Sequence, residues 1–112
     1  MRSWNLTEIE TPGGSRSPVV LESDEAARAV LIGLEPGQEL GEHEVKERAF
    51  MLVVDGSVHV EASGESADAE PGTLFAFEPE ERRAVSSSAG ARILLFFAPW
   101  PAPGHYRGEE GA

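Results

Sequence analysis

The sequence has no cysteine. Disulfides and thiolate metal sites are therefore excluded, and the redox compartment is left open. It has a single lysine, Lys46, among nine basic residues, against twenty acidic ones, and the formal net charge is -11. A surface this acidic repels phosphate backbones and anionic membranes, so neither nucleic acid nor membrane is expected as a partner. Long apolar runs are missing too. The longest, Ala49–Val54 and Ile93–Ala98, are far short of the roughly 20 residues a membrane helix needs. No basic start leads into an apolar stretch, so no secretory signal is expected and a soluble, cytoplasmic protein is the default. A glycine-rich phosphate loop, a serine elbow and a cysteine nucleophile are all absent.

What is present fits one domain. The chain has 112 residues, 40% of them hydrophobic, enough for a single core without staples. Twelve glycines and eight prolines cut it into short pieces. The best helical window is Ser23–Leu31, with Ser23 as N-cap. However, Arg28–Leu34 is rich in aliphatic residues and ends at Pro36-Gly37, so it reads as a strand entered by a turn. Further strands are expected at Pro18–Glu22, Phe50–Val54, Ser57–Ala62, Thr73–Phe77, Arg83–Ser87 and Arg92–Ala98. The turn signals EPGQ, VDGS, ASGES, EPGT and SSAG separate them. Strands recurring about every 8–12 residues predict an all-β sandwich or barrel. The barrel core is expected over about 18–98, with an N-terminal arm at 1–17. A tail at 99–112, rich in Gly and Pro, is expected to lie along the surface or fray.

Ala49–Val54 and Ile93–Ala98 are apolar on both alternating faces, so both faces must be covered. The outer face needs either a second copy of the chain or the chain's own ends. The first option predicts a homodimer through Phe50, Leu52 and Val54. The second would use Trp4 and Trp100 as covers.

One stretch, PGQELGEHEV…FMLVVDGSVHVE followed by EPGTLFAFEPEERRAV, resembles the two motifs of a small single-domain cupin, over roughly Val30 to Phe97. The first motif of that family is Gly, five residues, His-x-His, three or four residues, Glu, six residues, Gly. Here Gly37 is followed by five residues and His43, and Gly56 closes the motif. Pro71-Gly72 and Pro79 fit the frame of the second motif. The resemblance implies a double-stranded β-helix, or jelly-roll, barrel. In metal-binding members two His and a Glu of the first motif meet a His of the second on one ion. Those positions here are His43, Val45, Ala49 and Arg83, and the family's Gly near position 80 is Glu80. One ligand of four is retained, and a guanidinium repels a cation, so no metal or other cofactor is expected.

The candidate pocket residues are then His43, Arg83, Glu47 and Met51. For His43 two readings stand: a histidine bonded to a neighbour, or a pocket group touching a ligand. Arg83 has three: a surface charge, an internal ion pair with Glu47 or Glu42, or a fork for a carboxylate or phosphate. Glu47 shares the parity of His43 but sits between strands, so its direction is open. Met51 and Val53 alternate with Ala49 and should face the interior. Phe75 and Phe77 share one face and Leu74 and Ala76 the other, with the inward face unassigned. His59 should lie outside the barrel, opposite Val58 and Val60. His105, beside Tyr106, is expected as a flexible surface residue or one docked on barrel or partner. The leading functional expectation is a metal-free cupin that binds a small organic acid or sugar-like ligand. The alternatives are a metal-dependent isomerase or dioxygenase with non-standard ligands, and a structural or regulatory dimeric module with a filled barrel.

Overall fold

The computed structural model describes residues 1–12 and 17–105. Residues 13–16 of the expected arm, and Tyr106 with the rest of the expected tail, lie outside the described residues. The described residues form nine strands: β1 Val19–Ser23, β2 Arg28–Leu34, β3 Glu39–His43, β4 Arg48–Gly56, β5 Val58–Ala62, β6 Glu65–Ala69, β7 Leu74–Phe77, β8 Arg83–Ser86 and β9 Ala91–Ala98. All pairings are antiparallel. One sheet has the order β1-β2-β9-β4-β7 and the other β3-β8-β5-β6. The window from Ser23 is a strand with a turn before it, as its aliphatic content predicts. Asp24 makes that turn by accepting from the N–H groups of Ala26 and Ala27.

Two strands were not expected. β3 (ELGEH) and β6 (ESADA) are largely exposed and carry no apolar alternation. They sit at the two edges of the second sheet, where pairing on one side is enough.

The core lies between the sheets. Val30, Ile32 and Leu34 of β2, Ala49, Met51 and Val53 of β4, and Ile93, Leu95 and Phe97 of β9 meet Val58 and Val60 of β5 and Val85 of β8. Period-two alternation puts these side chains on one face of each strand. The face of β7 left open by its sequence is settled: Phe77 is buried and Phe75 packs against the core, while Leu74 and Ala76 are exposed. His59 points outward as expected, between buried Val58 and Val60. Gly56 closes β4 with φ 75°, and a Cβ there would overlap the backbone of Gly90. Only glycine satisfies both demands.

The N-terminal arm covers part of the outer face. Thr11 lies against Gly33, and Arg92 donates to the carbonyl oxygens of Leu6 and Ile9. Trp100 does not lie on that face. It packs at one end of the barrel against Phe97 and His105, with the Arg28 guanidinium 4.9 Å from its ring centroid. Trp4 is 42% exposed, and Phe50, Leu52 and Val54 are partly buried. No helix among the described residues is long and apolar enough to cross a membrane.

Candidate functional site

The end of the barrel where β3 ends and β4 and β8 begin gathers His43, Glu47 and Arg83. His43 ends β3 and Arg83 begins β8, and the two are direct partners in the ladder. Arg83 is also opposite Ala62 of β5. On the facing sheet, Ala49 pairs with Phe77. The cupin frame therefore brings its positions together, although their chemistry has changed.

Arg83 faces inward with Val85 and is only 2% exposed. Its guanidinium carbon lies 4.8 Å from the centroid of the Phe77 ring, in cation–π contact. Among the described residues, neither terminal nitrogen, Nη1 or Nη2, has a hydrogen-bond partner. Burial lowers the Arg83 pKa from its ordinary value, and the carboxylates of Glu81 and then Glu47 oppose that shift. The group stays a cation, because a guanidinium is not deprotonated in proteins. Of the three readings of Arg83, the surface charge fails because the side chain is buried, and no ion pair with Glu47 or Glu42 forms among the described residues. Glu42 pairs instead with Arg82 at 2.6 Å. Glu47 is committed elsewhere.

Glu47 is fully buried, just ahead of β4. Its Oε2 accepts from the Ala102 N–H at 2.9 Å, and His105 Nδ1 lies 2.7 Å from the same oxygen. Its other oxygen, Oε1, is buried without a partner. The described part of the tail, residues 99–105, therefore folds back over this end of the barrel. It neither frays nor merely runs along the surface, and His105 is docked against Trp100 and Glu47. The sequence missed this because the contact joins residues 55 apart through a segment with no regular periodicity.

His43 is half-buried and its Nδ1 lies 2.7 Å from the Gly41 carbonyl oxygen. A carbonyl only accepts, so Nδ1 carries the hydrogen and Nε2 of the neutral ring is left as an acceptor. Met51 is fully buried within the core, packed by its neighbours. It fills the centre of the barrel.

Arg83 lines one open cleft of about 440 Å³ together with Glu42, Glu61, Glu65 and Arg82, and a second open cleft of about 580 Å³ lies between the free edges of β6 and β7. Val60, Ala62, Phe75 and Phe77 form its apolar wall, and Glu65 and Glu81 stand at its border. The rings of Phe75 and Phe77 are parallel, with centroids 6.2 Å apart. Glu81 is held below the usual carboxylate range, first by the Ser63 hydroxyl at 2.5 Å and then by the Glu78 N–H at 2.9 Å. The second cleft thus touches the Arg83 cluster through Phe77 and Ala62.

A divalent metal of the cupin kind does not fit here. Val45 and Ala49 offer no donor, and a buried cation occupies the fourth position. Among the described residues, no group of three or more His, Asp or Glu side chains converges as a metal site. Glu80 occupies the family's glycine position and keeps its geometry, with φ 67°. A hydrogen bond from its N–H to the Val45 carbonyl oxygen, 2.7 Å, holds that turn.

No known protein-family model matches the sequence, and comparison with curated proteins finds no match. Solved structures do match. An RmlC-like cupin protein from Desulfovibrio desulfuricans superimposes with a TM-score of 0.77 at 20% identity, over 88% of this chain and 97% of that one. A cupin superfamily protein from Desulfitobacterium hafniense gives 0.74 at 14% identity, over 83% and 85%. The cupin domain of Schizosaccharomyces pombe Cnp3 gives 0.76 at 12% identity, over 95% and 80%. At such identities the likeness speaks for the fold, and it agrees with the two-sheet topology and the motif frame: the chain is a small cupin-type double-stranded β-helix.

Proposed function

We propose that the protein is a metal-free binding barrel for a small organic anion, held at the Arg83 end. The observation that carries this reading is the buried Arg83 guanidinium with both terminal nitrogens unpartnered. Leaving a buried charged donor unmet is expensive, and native structures rarely tolerate it without use. Its planar fork matches a carboxylate in bidentate geometry. The cleft walled by Phe75 and Phe77 offers apolar contact for the rest of a small ligand. His43 Nε2, Glu47 and Glu81 are further polar groups at this end. Titration calorimetry against a panel of small carboxylates and sugar acids tests it. Binding of at least one is expected for the wild type and is lost in Arg83→Met. A panel that gives no binding to the wild type ends the proposal.

A second reading, a dimeric module, rests on a different observation. The outer face of β7, β4 and β9 carries Leu74, Leu52, Leu94, Phe50 and Phe96 in adjacent ladder positions, with Leu74 61% and Phe96 39% exposed. No charged side chain interrupts these positions. In a chain of net charge -11, that is where two copies can approach with the least repulsion. The occupant is therefore a second copy, as an isologous pair. Light scattering at micromolar concentration should return twice the chain mass, falling to one in Leu52→Glu. A wild type of single-chain mass removes this reading.

A further inference from the structure

Two buried, oppositely charged side chains at the candidate site share one end of the barrel, and neither completes the other. Arg83 has two free donors, Nη1 and Nη2. Glu47 has one free acceptor, Oε1, while its Oε2 is fixed by the Ala102 N–H and by His105. The guanidinium stacks on Phe77, and the ladder partner of Phe77 is Ala49, two residues beyond Glu47. Both groups stand at this end of the barrel, and the Glu47 carboxylate acts on the guanidinium, after that of Glu81. A direct ion pair would be the simple way to satisfy them, yet they are not paired.

The unmet atoms define a pattern. A parallel donor fork asks for a carboxylate. A carboxylate acceptor beside it asks for an O–H or N–H on the same molecule. We infer that the ligand is a compact carboxylate bearing a hydroxyl or ammonium group on the adjacent carbon, its carboxylate on Arg83 and its donor on Glu47 Oε1. This deepens, and rests on, the anion-binding reading above. A ligand of this kind leaves neither charge unmet, whereas a plain carboxylate satisfies Arg83 and leaves Glu47 Oε1 bare. The tail has a part in this. By holding Oε2, Ala102 and His105 fix which oxygen of Glu47 is presented, so His105 is a positioning residue.

Three probes with the same carbon skeleton test the inference: propionate has no donor, lactate has a hydroxyl and alanine an ammonium group. Titration calorimetry on the wild-type chain should show lactate or alanine binding about tenfold or more tightly than propionate. Glu47→Gln sharpens the test. Its side-chain oxygen must stay on the Ala102 N–H, which turns its NH₂ toward the ligand and replaces an acceptor with a donor. The preference for alanine over propionate should then vanish, because an ammonium group only donates whereas the lactate hydroxyl can accept from that NH₂, while propionate binding persists. His105→Ala should reduce the preference without removing propionate binding. If propionate binds the wild type as well as both others, the inference falls and the anion site stands. If none of the three binds while other carboxylates do, the inference falls alone. Should no carboxylate bind at all, both fall together.

Discussion

At the scale of the residue, Arg83 sets up a conflict between stability and use. Its guanidinium is buried and its terminal nitrogens unmet. A methionine keeps much of the stem and removes the charge. Without ligand, Arg83→Met should therefore raise the unfolding free energy by about 1–3 kcal/mol, read from the urea midpoint. A loss of stability would mean that the guanidinium is already satisfied in the free protein. His59 carries a different signature. Its ring stands on the outer face between Asp68, 2.8 Å from Nδ1, and Glu61, 3.3 Å from Nε2. Hydrogen bonds to Asp68 first, then Glu61, raise its pKa above the ordinary 6.5. A group whose pKa is raised on folding favours the native state below its unfolded value and loses that contribution as pH rises through the folded one. Stability should fall as pH increases from about 6.5 upward by this contribution, and His59→Gln should flatten that slope in denaturation series. An unchanged slope would show that the ring binds no extra proton on folding. The two carboxylates flank opposite sides of the ring, so they do not converge on one ion.

At the scale of the element, the C-terminal segment works as a structural part of the barrel end. It supplies the Ala102 N–H to a fully buried carboxylate and sets Trp100 on Phe97. A chain ending at Pro99 would leave Glu47 with both oxygens unmet and expose the ring of Phe97. It should lose about 2–4 kcal/mol in urea unfolding. Unaltered stability would reduce the segment to decoration. The sequence made most of the strands legible because β2, β4 and β9 carry aliphatic runs bounded by Gly and Pro. It also placed Ala49, Met51 and Val53 inward, since alternation alone decides that. β3 and β6 stayed hidden because edge strands need no apolar face. The motif frame put His43 and Arg83 at one place, and the structure makes them ladder partners. What the frame could not tell was how Glu47 points. That is decided by Ala102 and His105, in a segment whose Gly and Pro give no pattern to read.

For the whole molecule, charge and apolar area pull in opposite directions. A net charge of -11 on 112 residues makes the compact state repel itself. Salt shortens the reach of that repulsion to about 10 Å at 0.1 M. The thermal midpoint should therefore rise between low salt and a few hundred millimolar sodium chloride. The dimer proposed above, through Phe50, Leu52 and Phe96, should strengthen over the same range. A midpoint that falls with salt would mean that pairs such as Arg48–Glu78, at 2.7 Å, outweigh the net repulsion.

β9 is the last of the described strands in chain order, yet it sits at the centre of the five-stranded sheet, between β2 and β4. A growing chain emerges from the ribosome with β2 and β4 already made and the strand that must lie between them still unsynthesised. Until Ala98 is free of the exit tunnel, Phe50, Leu52 and their neighbours have no native pairing available on that side. Folding of this barrel therefore waits for β9, slow in the manner of non-local β topologies. A chain stalled within β9 would present two unpaired apolar edges to whatever chaperone or aggregate lies nearest.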